Sequence, residues 1–469
     1  MGFISETDRV RTLLAREGSG VTGPDVFYRE AMAFLGSKKR RDMLTGERYY
    51  RGQHDILKRV RTAIGPEGEL EEIQNLPNNR IVDNQYARVV DQKVNYLLGR
   101  PVTFETDDPR FRGELARVFG PEFRRVLRAV GEDALNCGIG WIHPCYGRGE
   151  TLTFRRIAPY EVLSFWADEG HTVLECALRI YEQERLGEGP GARSLRAELY
   201  TAEGLYRFRV DGGLIPDGGF APYYTCVCDD ESRYTGGWPA LPLVPFRASG
   251  REIPLIQRVK PLQDGINLIL SEYENRMQED SHNTVLVIKN YDGENLGEFR
   301  RNLAAFGAVK VRTADGADGG VETLSVSVDG ENFMSLVSLL KRSLVENAKG
   351  FDLRDLTLGG SPNQMAIQTM YADIDLDAAA MELEFAAGFR KLMTFVAVHL
   401  ENAGMPGLRP EKVEVIFNRD VLINETESIE NCVRSQGILS EETILYQHPW
   451  TSDVDKELRR LKLVRECSL

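Results

Sequence analysis

The feature that most constrains the fold is a helical pattern that continues without a strong break from Ser361 to about Leu400. Ser361, Pro362 and Gln364 supply a capping serine, a proline at the first helical position and a glutamine three residues after the serine, which together indicate a helix start. The pattern predicts a helix of about 38 residues, which at 1.5 Å per residue is roughly 57 Å long. The average soluble helix has only about 12 residues. Its one glycine, Gly388, is expected to cost about 1 kcal/mol or to mark a bend.

Between residues 139 and 250 the spacing of the apolar residues no longer follows the helical period. Short aromatic segments at 140–146 and 152–157 are followed by turn signals such as Asp211-Gly212-Gly213, which are typical of antiparallel strands and hairpins. Helical patterns surround this region: 25–62, 81–98, 121–137, 425–436, 440–447 and 453–466. The order of these elements predicts a multidomain α+β fold.

Between residues 256 and 349 a small module separates two predicted helices. Pro261 is expected to open the first helix, which reaches about His282. This helix carries an apolar stripe: Leu262, Ile266, Ile269, Leu270, Tyr273 and Met277. The module that follows is predicted as β-α-β-β, with its elements at 284–290, 294–306, 308–313 and 321–328. The second helix is expected at about 331–349, and a further strand at 412–417.

Charge and motif content disfavour an enzyme. The formal net charge is −13, so the whole surface is unsuited to gripping nucleic acid, although a local basic patch remains compatible. The sequence has no GxxxxGK[ST], HExxH or GxSxG motif. A GxGxxG at residues 18–23 follows a helix-like stretch rather than a strand, so residues 1–24 are predicted to form a flexible arm without a nucleotide or other cofactor.

Metal binding and membrane insertion are also disfavoured. The seven cysteines are scattered without a CxxC motif, and no two histidines lie within four positions of each other. Asp373, Asp375 and Asp377 are predicted to form a solvated or subunit-facing stripe, because residues two apart point away from each other on a helix. No apolar run of about 18 residues and no secretory signal are present. The expectation is a reducing compartment such as a bacterial cytoplasm.

Several short segments, taken in order, resemble the portal proteins of tailed bacteriophages, in the branch typical of long non-contractile tails. The segments that carry the resemblance are 49–52 (Tyr-Tyr-Arg-Gly), 54–57 (His-Asp-Ile-Leu), 78–82 (Asn-Asn-Arg-Ile-Val), 90–102 (Val-Asp-Gln-Lys-Val-Asn-Tyr-Leu-Leu-Gly-Arg-Pro-Val), 138–141 (Gly-Ile-Gly-Trp), 157–162 (Ile-Ala-Pro-Tyr-Glu-Val), 243–246 (Leu-Val-Pro-Phe) and 437–443 (Gly-Ile-Leu-Ser-Glu-Glu-Thr). Each segment is weakly specific alone, but their order is specific, and the resemblance covers roughly residues 45–465.

The resemblance implies a division of the chain into the regions of that family. These are a wing at 25–255 with strand 412–417, stem helices at 256–282 and 331–349, a clip at 283–330, a tunnel loop at 350–361, a long tunnel helix at 362–402 and a helical crown at 425–469.

The resemblance also implies a function and a set of partners. A homo-oligomeric ring, usually a 12-mer, would sit at one capsid vertex of the virion after assembly in the bacterial host cytoplasm. Double-stranded DNA would pass through its channel during packaging and ejection. The partners would be a separate packaging motor (terminase), the major capsid and scaffolding proteins, and head-completion or adaptor proteins, with no membrane involved.

Candidate channel residues follow from this assignment. They are Lys349, Arg354, Leu356, Thr357, Leu358, Gly359 and Gly360 in and beside the tunnel loop, with Lys341 and Arg342 as stem cations. The glycines would let the loop change conformation. Alternatively, the cations pair with neighbouring carboxylates such as Glu346 and Asp352, and the loop forms a static subunit contact. Many family members carry a basic residue early in the tunnel helix, whereas residues 361–368 of this chain have none.

Two other classes of protein compete with this interpretation. One is another ring-forming connector or minor head protein, although such proteins are usually shorter and lack a core of two helices around a small module. The other is an enzyme acting on nucleic acid, which would need a converging acid, base or metal site.

Overall fold

The structure is a computed structural model of the 469-residue chain. It describes residues 24–64, 69–72, 77–147, 151–184, 193–227, 233–280, 285–289, 320–324, 330–352, 364–419, 425–451, 454 and 457–461. Its residues group into two compact units, the first formed by 1–52, 85–259 and 345–469 and the second by 53–84 and 260–344. Several predictions lie outside the described residues: the glycine motif at 18–23, the cap at 361–363, and the elements at 294–306 and 308–313.

The described residues form helices and antiparallel strands, and ten strands follow one another between Ile139 and Arg247, which confirms the predicted α+β class. The helices are α1 (Pro24–Leu35), α2 (Lys38–Tyr50), α3 (Gln85–Leu98), α4 (Pro109–Val118), α5 (Pro121–Cys137), α6 (Ile256–Asp280), α7 (Gly330–Asn347), α8 (Gln364–Asn402), α9 (Glu425–Arg434) and α10 (Glu441–Gln447). The strands are β1 (Thr62–Ile64), β2 (Leu70–Glu72), β3 (Thr103–Thr106), β4 (Ile139–Tyr146), β5 (Leu152–Ile157), β6 (Val162–Trp166), β7 (Leu174–Glu184), β8 (Arg193–Tyr200), β9 (Leu205–Val210), β10 (Leu214–Ala221), β11 (Tyr224–Val227), β12 (Arg233–Gly236), β13 (Val244–Arg247), β14 (Val285–Lys289), β15 (Gly320–Leu324) and β16 (Val413–Ile416).

The larger unit is built on antiparallel sheets. One sheet has the order β10-β9-β8-β7-β6, and a second has the order β13-β4-β5. Helix α1 covers the first sheet, where Phe27 meets Phe165 edge to face at 5.6 Å between ring centroids. Strand β16 pairs antiparallel with β3, with Val413 opposite Thr106. The predicted strand at 412–417 therefore joins the same unit as residues 85–259.

Helix α8 is held against this unit by a cluster of phenylalanines around Phe389. The ring of Phe389 lies 5.5–6.1 Å from the ring centroids of its neighbours, which are Phe104, Phe119, Phe123, Phe246 and Phe417. The adjacent Gly388 explains how β13 comes so close, because a Cβ there would lie 2.9 Å from both the Phe246 ring and the Pro245 carbonyl oxygen. The glycine in the predicted long helix is thus required by helix–strand packing.

The smaller unit is held together by a row of buried polar side chains on α6. Four side chains spaced one every four residues are fully buried: Gln263, Asn267, Ser271 and Asn275. The backbone N–H groups of Asn79, Ile81 and Asp83 donate to Asn275 Oδ1 at 2.7 Å, Ser271 Oγ at 2.9 Å and Asn267 Oδ1 at 3.0 Å. Gln263 Nε2 in turn donates to the Asp83 carbonyl oxygen at 2.7 Å.

The spacing of these hydrogen bonds follows from the two backbone geometries. Four helical residues advance by about 6.0 Å, and two extended residues advance by about 6.6 Å. Every second N–H of the extended segment 77–84 therefore meets every fourth side chain of α6. This row satisfies backbone donors that have no strand partner, so it fixes the register of a segment without regular secondary structure.

Several boundaries differ from the sequence predictions. The single helix predicted at 25–62 is two helices, because Ser37 caps α2 by accepting from the Arg40 N–H at 3.1 Å. Helix α6 begins at Ile256 rather than Pro261, since burial of Ile256 and Val259 stabilises an additional turn before the proline. The predicted apolar stripe of α6 is only partly a core face, because Met277 is exposed while the fully buried row is largely polar.

Among the described residues, no helix combines the length and the apolar character needed to span a bilayer.

Glu252 is the centre of a buried ion cluster in the larger unit. Its carboxylate accepts from Lys39 Nζ and His171 Nδ1, both at 2.8 Å, and lies 3.1 Å from Arg247 Nε. Burial alone would raise the pKa of Glu252, but hydrogen bonds from His171 and Lys39 outweigh it and lower the pKa to about 2. Because the pKa is depressed in the folded state, the stabilisation is complete above the ordinary pKa of glutamate and is lost as the pH falls towards 2.

We predict that Glu252→Gln lowers the free energy of unfolding by about 3 kcal/mol at pH 7, because the substitution leaves Lys39, His171 and Arg247 without the buried anion that they bind. The difference between wild type and variant should shrink between pH 4.5 and pH 2. Urea unfolding across this range measures both effects, with Glu203→Gln as the exposed control. An equal difference at pH 7 and pH 3 would contradict the assignment.

Candidate functional site

The predicted channel residues divide into those that the structure describes and those that it does not. Arg354, Leu356, Thr357, Leu358, Gly359 and Gly360 lie outside the described residues. Lys349 is described at the end of α7, and Lys341 and Arg342 lie within that helix. The site that can be built from contacts is therefore residues 345–352, which include the first three residues of the predicted loop, together with the elements on which this segment lies.

The end of α7 is closed by a Schellman motif with a lysine in the left-handed position. The Gly350 N–H donates to the Val345 carbonyl at 2.9 Å, and the Lys349 N–H donates to the Glu346 carbonyl at 3.0 Å. Lys349 has a φ of 54°, a conformation that glycine usually supplies at this position. A non-glycine residue there costs about 1–2 kcal/mol, so neighbouring contacts must hold the segment in place.

Gln92 of α3 supplies one such contact. Its Nε2 donates to the Phe351 carbonyl oxygen at 2.9 Å, and its Oε1 accepts from the Phe351 N–H at 3.0 Å. A Cβ at position 350 would lie 2.9 Å from Gln92 Oε1, so Gly350 permits this close approach. The amide of Gln92 thus binds the main chain as a neighbouring strand would, at the second residue of the predicted loop.

A shared carboxylate supplies the second contact. Asp377 of α8 binds the buried Lys93 Nζ at 2.6 Å through Oδ2 and Lys349 Nζ at 3.2 Å through Oδ1. Burial and the nearby Lys349 lower the pKa of Lys93, although Asp377 opposes the shift. Burial would raise the pKa of Asp377, but the two lysines outweigh it and hold that pKa below its ordinary value. Two ammonium groups on one carboxylate leave a net positive charge here.

An aromatic stack and a second ion cluster hold the first half of α8 beside the same segment. The Phe351 ring lies 4.5 Å from Tyr371, which stacks on Tyr96 at 5.9 Å between centroids. Burial and a hydrogen bond to Asp375 raise the pKa of Tyr96 to about 12. Arg419 binds both Asp375 and Glu382 of α8. Phe351, which precedes residues 353–363, and Tyr371, which follows them, are thus both held against α3.

The predicted aspartate stripe is wrong for two of its three members. Asp373 is exposed, whereas Asp375 and Asp377 are bound by Arg419, Tyr96 and two lysines. The two carboxylates do point apart, as the spacing predicted, but each meets a different buried partner. Within the described residues, no group of three or more His, Cys, Asp or Glu side chains is arranged to hold a metal ion.

Two of the candidate cations, Lys341 and Lys349, pair with acids other than those expected from the sequence. Lys349 pairs with Asp377, and Lys341 Nζ lies 2.5 Å from Asp83 Oδ2. Asp352 is bound by Arg88 at 3.2 Å. These partners are distant in sequence, which is why local spacing did not identify them.

Sequence reasoning did not identify Gln92 and Lys93 as members of the site. A signal was present, because Lys93 lies four residues after Val89 and three after Val90 on the apolar side of α3. A lysine on a buried face requires a charged partner. The sequence therefore indicates an ion pair at Lys93, although it does not identify Asp377 as the partner.

Comparison with known protein families identifies the family of this chain. The chain matches the family described as "Phage portal protein, SPP1 Gp6-like" over residues 36–466. It therefore belongs to that family of phage portal proteins, which are structural components of the virion.

Curated relatives and a solved structure extend the comparison. The portal protein of Bacillus phage SPP1 is 26% identical over 462 residues, which cover 98% of this chain and 90% of the relative. The portal protein of Clostridium phage phiCD119 is 24% identical over 440 residues, 91% of this chain and 93% of the relative. A chain of the structure titled "Neck of native GTA particle computed with C12 symmetry" is similar with a TM-score of 0.41 and 12% identity, covering 76% of this chain and 87% of that one.

We predict that Gln92→Ala loosens the segment before the loop, because Phe351 loses both of its main-chain hydrogen bonds to the glutamine amide. Loss of about 1.4 kcal/mol of local stability corresponds to roughly tenfold faster amide exchange. Hydrogen–deuterium exchange of the peptide covering 345–352 measures this change. Asn95→Ala, on the exposed side of the same helix, should leave the exchange unchanged, and unchanged exchange in Gln92→Ala would refute the role of the clamp.

Proposed function

We propose that this chain forms the portal ring at one capsid vertex, with a central channel through which double-stranded DNA is packaged and ejected. The ring would also provide the docking site for the packaging motor, for capsid and scaffolding proteins and for head-completion or tail proteins. Family membership over residues 36–466 supports the portal assignment. The proposal extends this assignment to the ring, its 12-fold symmetry, its channel and these partners.

The region assignment is part of this proposal. We assign 25–255 with 412–417 to the wing, 256–282 and 331–349 to the stem, 283–330 to the clip, 350–361 and 362–402 to the tunnel loop and tunnel helix, and 425–469 to the crown. The antiparallel pairing of β3 with β16 supports placing strand 412–417 with the wing. The antiparallel pairing of β14 with β15 supports a clip built on strands.

The observation that carries the ring is an exposed apolar stripe along α8. Leu376 and Leu383 are 69% and 73% exposed and lie two turns apart. Exposed alanines fill the same side of the helix: Ala372, Ala379, Ala380 and Ala387. A long apolar helix face left in water is unfavourable and typically marks a protein interface. Burial against a neighbouring copy would remove this surface from water, as a ring requires.

We predict that the double substitution Leu376→Asp and Leu383→Asp abolishes ring assembly, because it places two carboxylates in an interface that excludes water. The fold should be retained, since both side chains are exposed in the single chain. Native mass spectrometry with negative-stain images would measure assembly, and circular dichroism would check folding. Ile215→Asp on strand β10 is the control, and a double variant that still assembles into rings of wild-type mass would refute the interface.

We assign the DNA-facing constriction to the tunnel loop, with Lys349 and Arg354 as cations and residues 356–360 as its small or uncharged part. The contacts on both sides of the loop support this assignment. Gln92 binds the main chain at Phe351, Lys93 binds Asp377, and Tyr371 stacks on Tyr96. The net charge of −13 favours an acidic channel surface that would repel phosphates, which would limit sticking while still allowing passage. Lys341 and Arg342 remain the proposed stem cations.

We predict that Thr357→Cys, modified with a bulky thiol reagent, blocks DNA entry in a packaging reaction reconstituted with the cognate motor. The attached group would fill the constriction, so the amount of nuclease-protected DNA should fall to background. Gly113→Cys is the control, because a side chain there would have no neighbour within 4 Å. Normal packaging by the modified Thr357→Cys ring would place the loop outside the channel without affecting the ring assignment.

A further inference from the structure

A surface pocket that the portal assignment does not use lies between the end of α3, strand β3 and helix α5. Its volume is about 320 Å³, within the range of natural ligand pockets. Its floor and walls are apolar: Phe104, Phe119, Phe123, Leu127, Pro101 and Val102. Its rim carries guanidinium groups: Arg100, Arg124, Arg125 and Arg128. An arginine rim on a chain with net charge −13 is a local reversal of the overall charge.

The floor of this pocket is rigid. The Phe104 and Phe119 rings stack at 4.4 Å between centroids, and Phe119 meets Phe123 edge to face at 4.7 Å. All three rings also contact Phe389 of α8, which is fully buried. An apolar group that enters the pocket would therefore meet a preformed aromatic surface and would not have to order it.

The rim has charge available for a ligand. Arg125 is 80% exposed, and its one ion pair is with an equally solvated Glu122 at 3.6 Å. Arg124 makes no side-chain hydrogen bond or ion pair with any other described residue. Arg128 is already engaged, because it donates to Asn95 Oδ1 at 2.5 Å and lies 3.3 Å from Glu132. Arg124 and Arg125 are thus the cations that can bind carboxylates without breaking a buried contact.

We propose that this pocket is a docking site for an acidic segment of a partner protein that carries one bulky apolar side chain. The apolar side chain would occupy the phenylalanine floor, and carboxylates beside it would bind Arg124 and Arg125, which suit bidentate contacts. Duplex DNA fits less well, because its outer surface offers phosphates without an apolar group to fill the floor. This inference does not depend on ring formation.

The test uses the full-length chain in its native assembly and a fluorescein-labelled peptide of about ten residues, rich in Asp and Glu with a central Leu-Phe pair. Fluorescence anisotropy at physiological salt should show saturable binding. Replacing Leu-Phe by Ser-Ser, or the acidic residues by their amides, should each weaken binding at least about tenfold. Equal binding of either altered peptide would overturn the proposal, as would tighter binding of a short DNA duplex than of the acidic peptide.

Variants of the chain locate the site. Arg124→Glu with Arg125→Glu should weaken peptide binding at least about tenfold, since two attractions become repulsions. The matched control is Arg112→Glu with Arg117→Glu on α4, which makes the same charge change outside the pocket. Val102→Trp tests the apolar part independently, because the indole would fill the cavity while the rim charges stay. If the control pair weakens binding as much as the rim pair, or Val102→Trp has no effect, the pocket is not the site.

Discussion

Burial of helix α8 against the larger unit depends on the close approach of strand β13 at Gly388. With any larger residue at 388, the Phe246 ring and the Pro245 carbonyl would have to move away. That movement would separate Phe389 from Phe246 and weaken the cluster in which Phe389 also meets Phe104, Phe119 and Phe123. One glycine thus permits the aromatic packing that fixes a 39-residue helix, and the proposed loop anchor and partner pocket both depend on the position of that helix.

The segment before the tunnel loop combines a strained residue with unusually directional contacts. The left-handed Lys349 costs free energy that a glycine would not, but a glycine could not bind Asp377. The Gln92 amide and the Phe351–Tyr371 contact restrict the next residues. These contacts oppose rearrangement of residues 349–351 despite the strain at Lys349. The proposed role of residues 350–361, a loop that responds to passing DNA, would require an attachment of this kind.

The sequence predicted those features that depend on local pattern. The capping residues and periodicity predicted α8, the alternation predicted the sheets, and the helix pair around a small module follows from Pro, Gly and apolar spacing. It did not predict the polar row on α6, because Gln263, Asn267, Ser271 and Asn275 bind the backbone of residues 77–84, and main-chain N–H and carbonyl groups carry no sequence signal for such pairing. It also missed the Lys93–Asp377–Lys349 cluster, whose members are brought together only by tertiary packing.

The two surfaces proposed as contacts differ in the kind of partner that their chemistry suits. The α8 stripe of leucines and alanines has no charge between Leu376 and Leu383 on its exposed side, and a broad apolar face is typical of a permanent interface. The pocket is small, and arginines surround its phenylalanine floor, so binding there would weaken with salt and suit a partner that is later released. Permanent self-association and transient docking can therefore coexist on one chain, because one surface relies on buried area and the other on charge placed around a single apolar anchor.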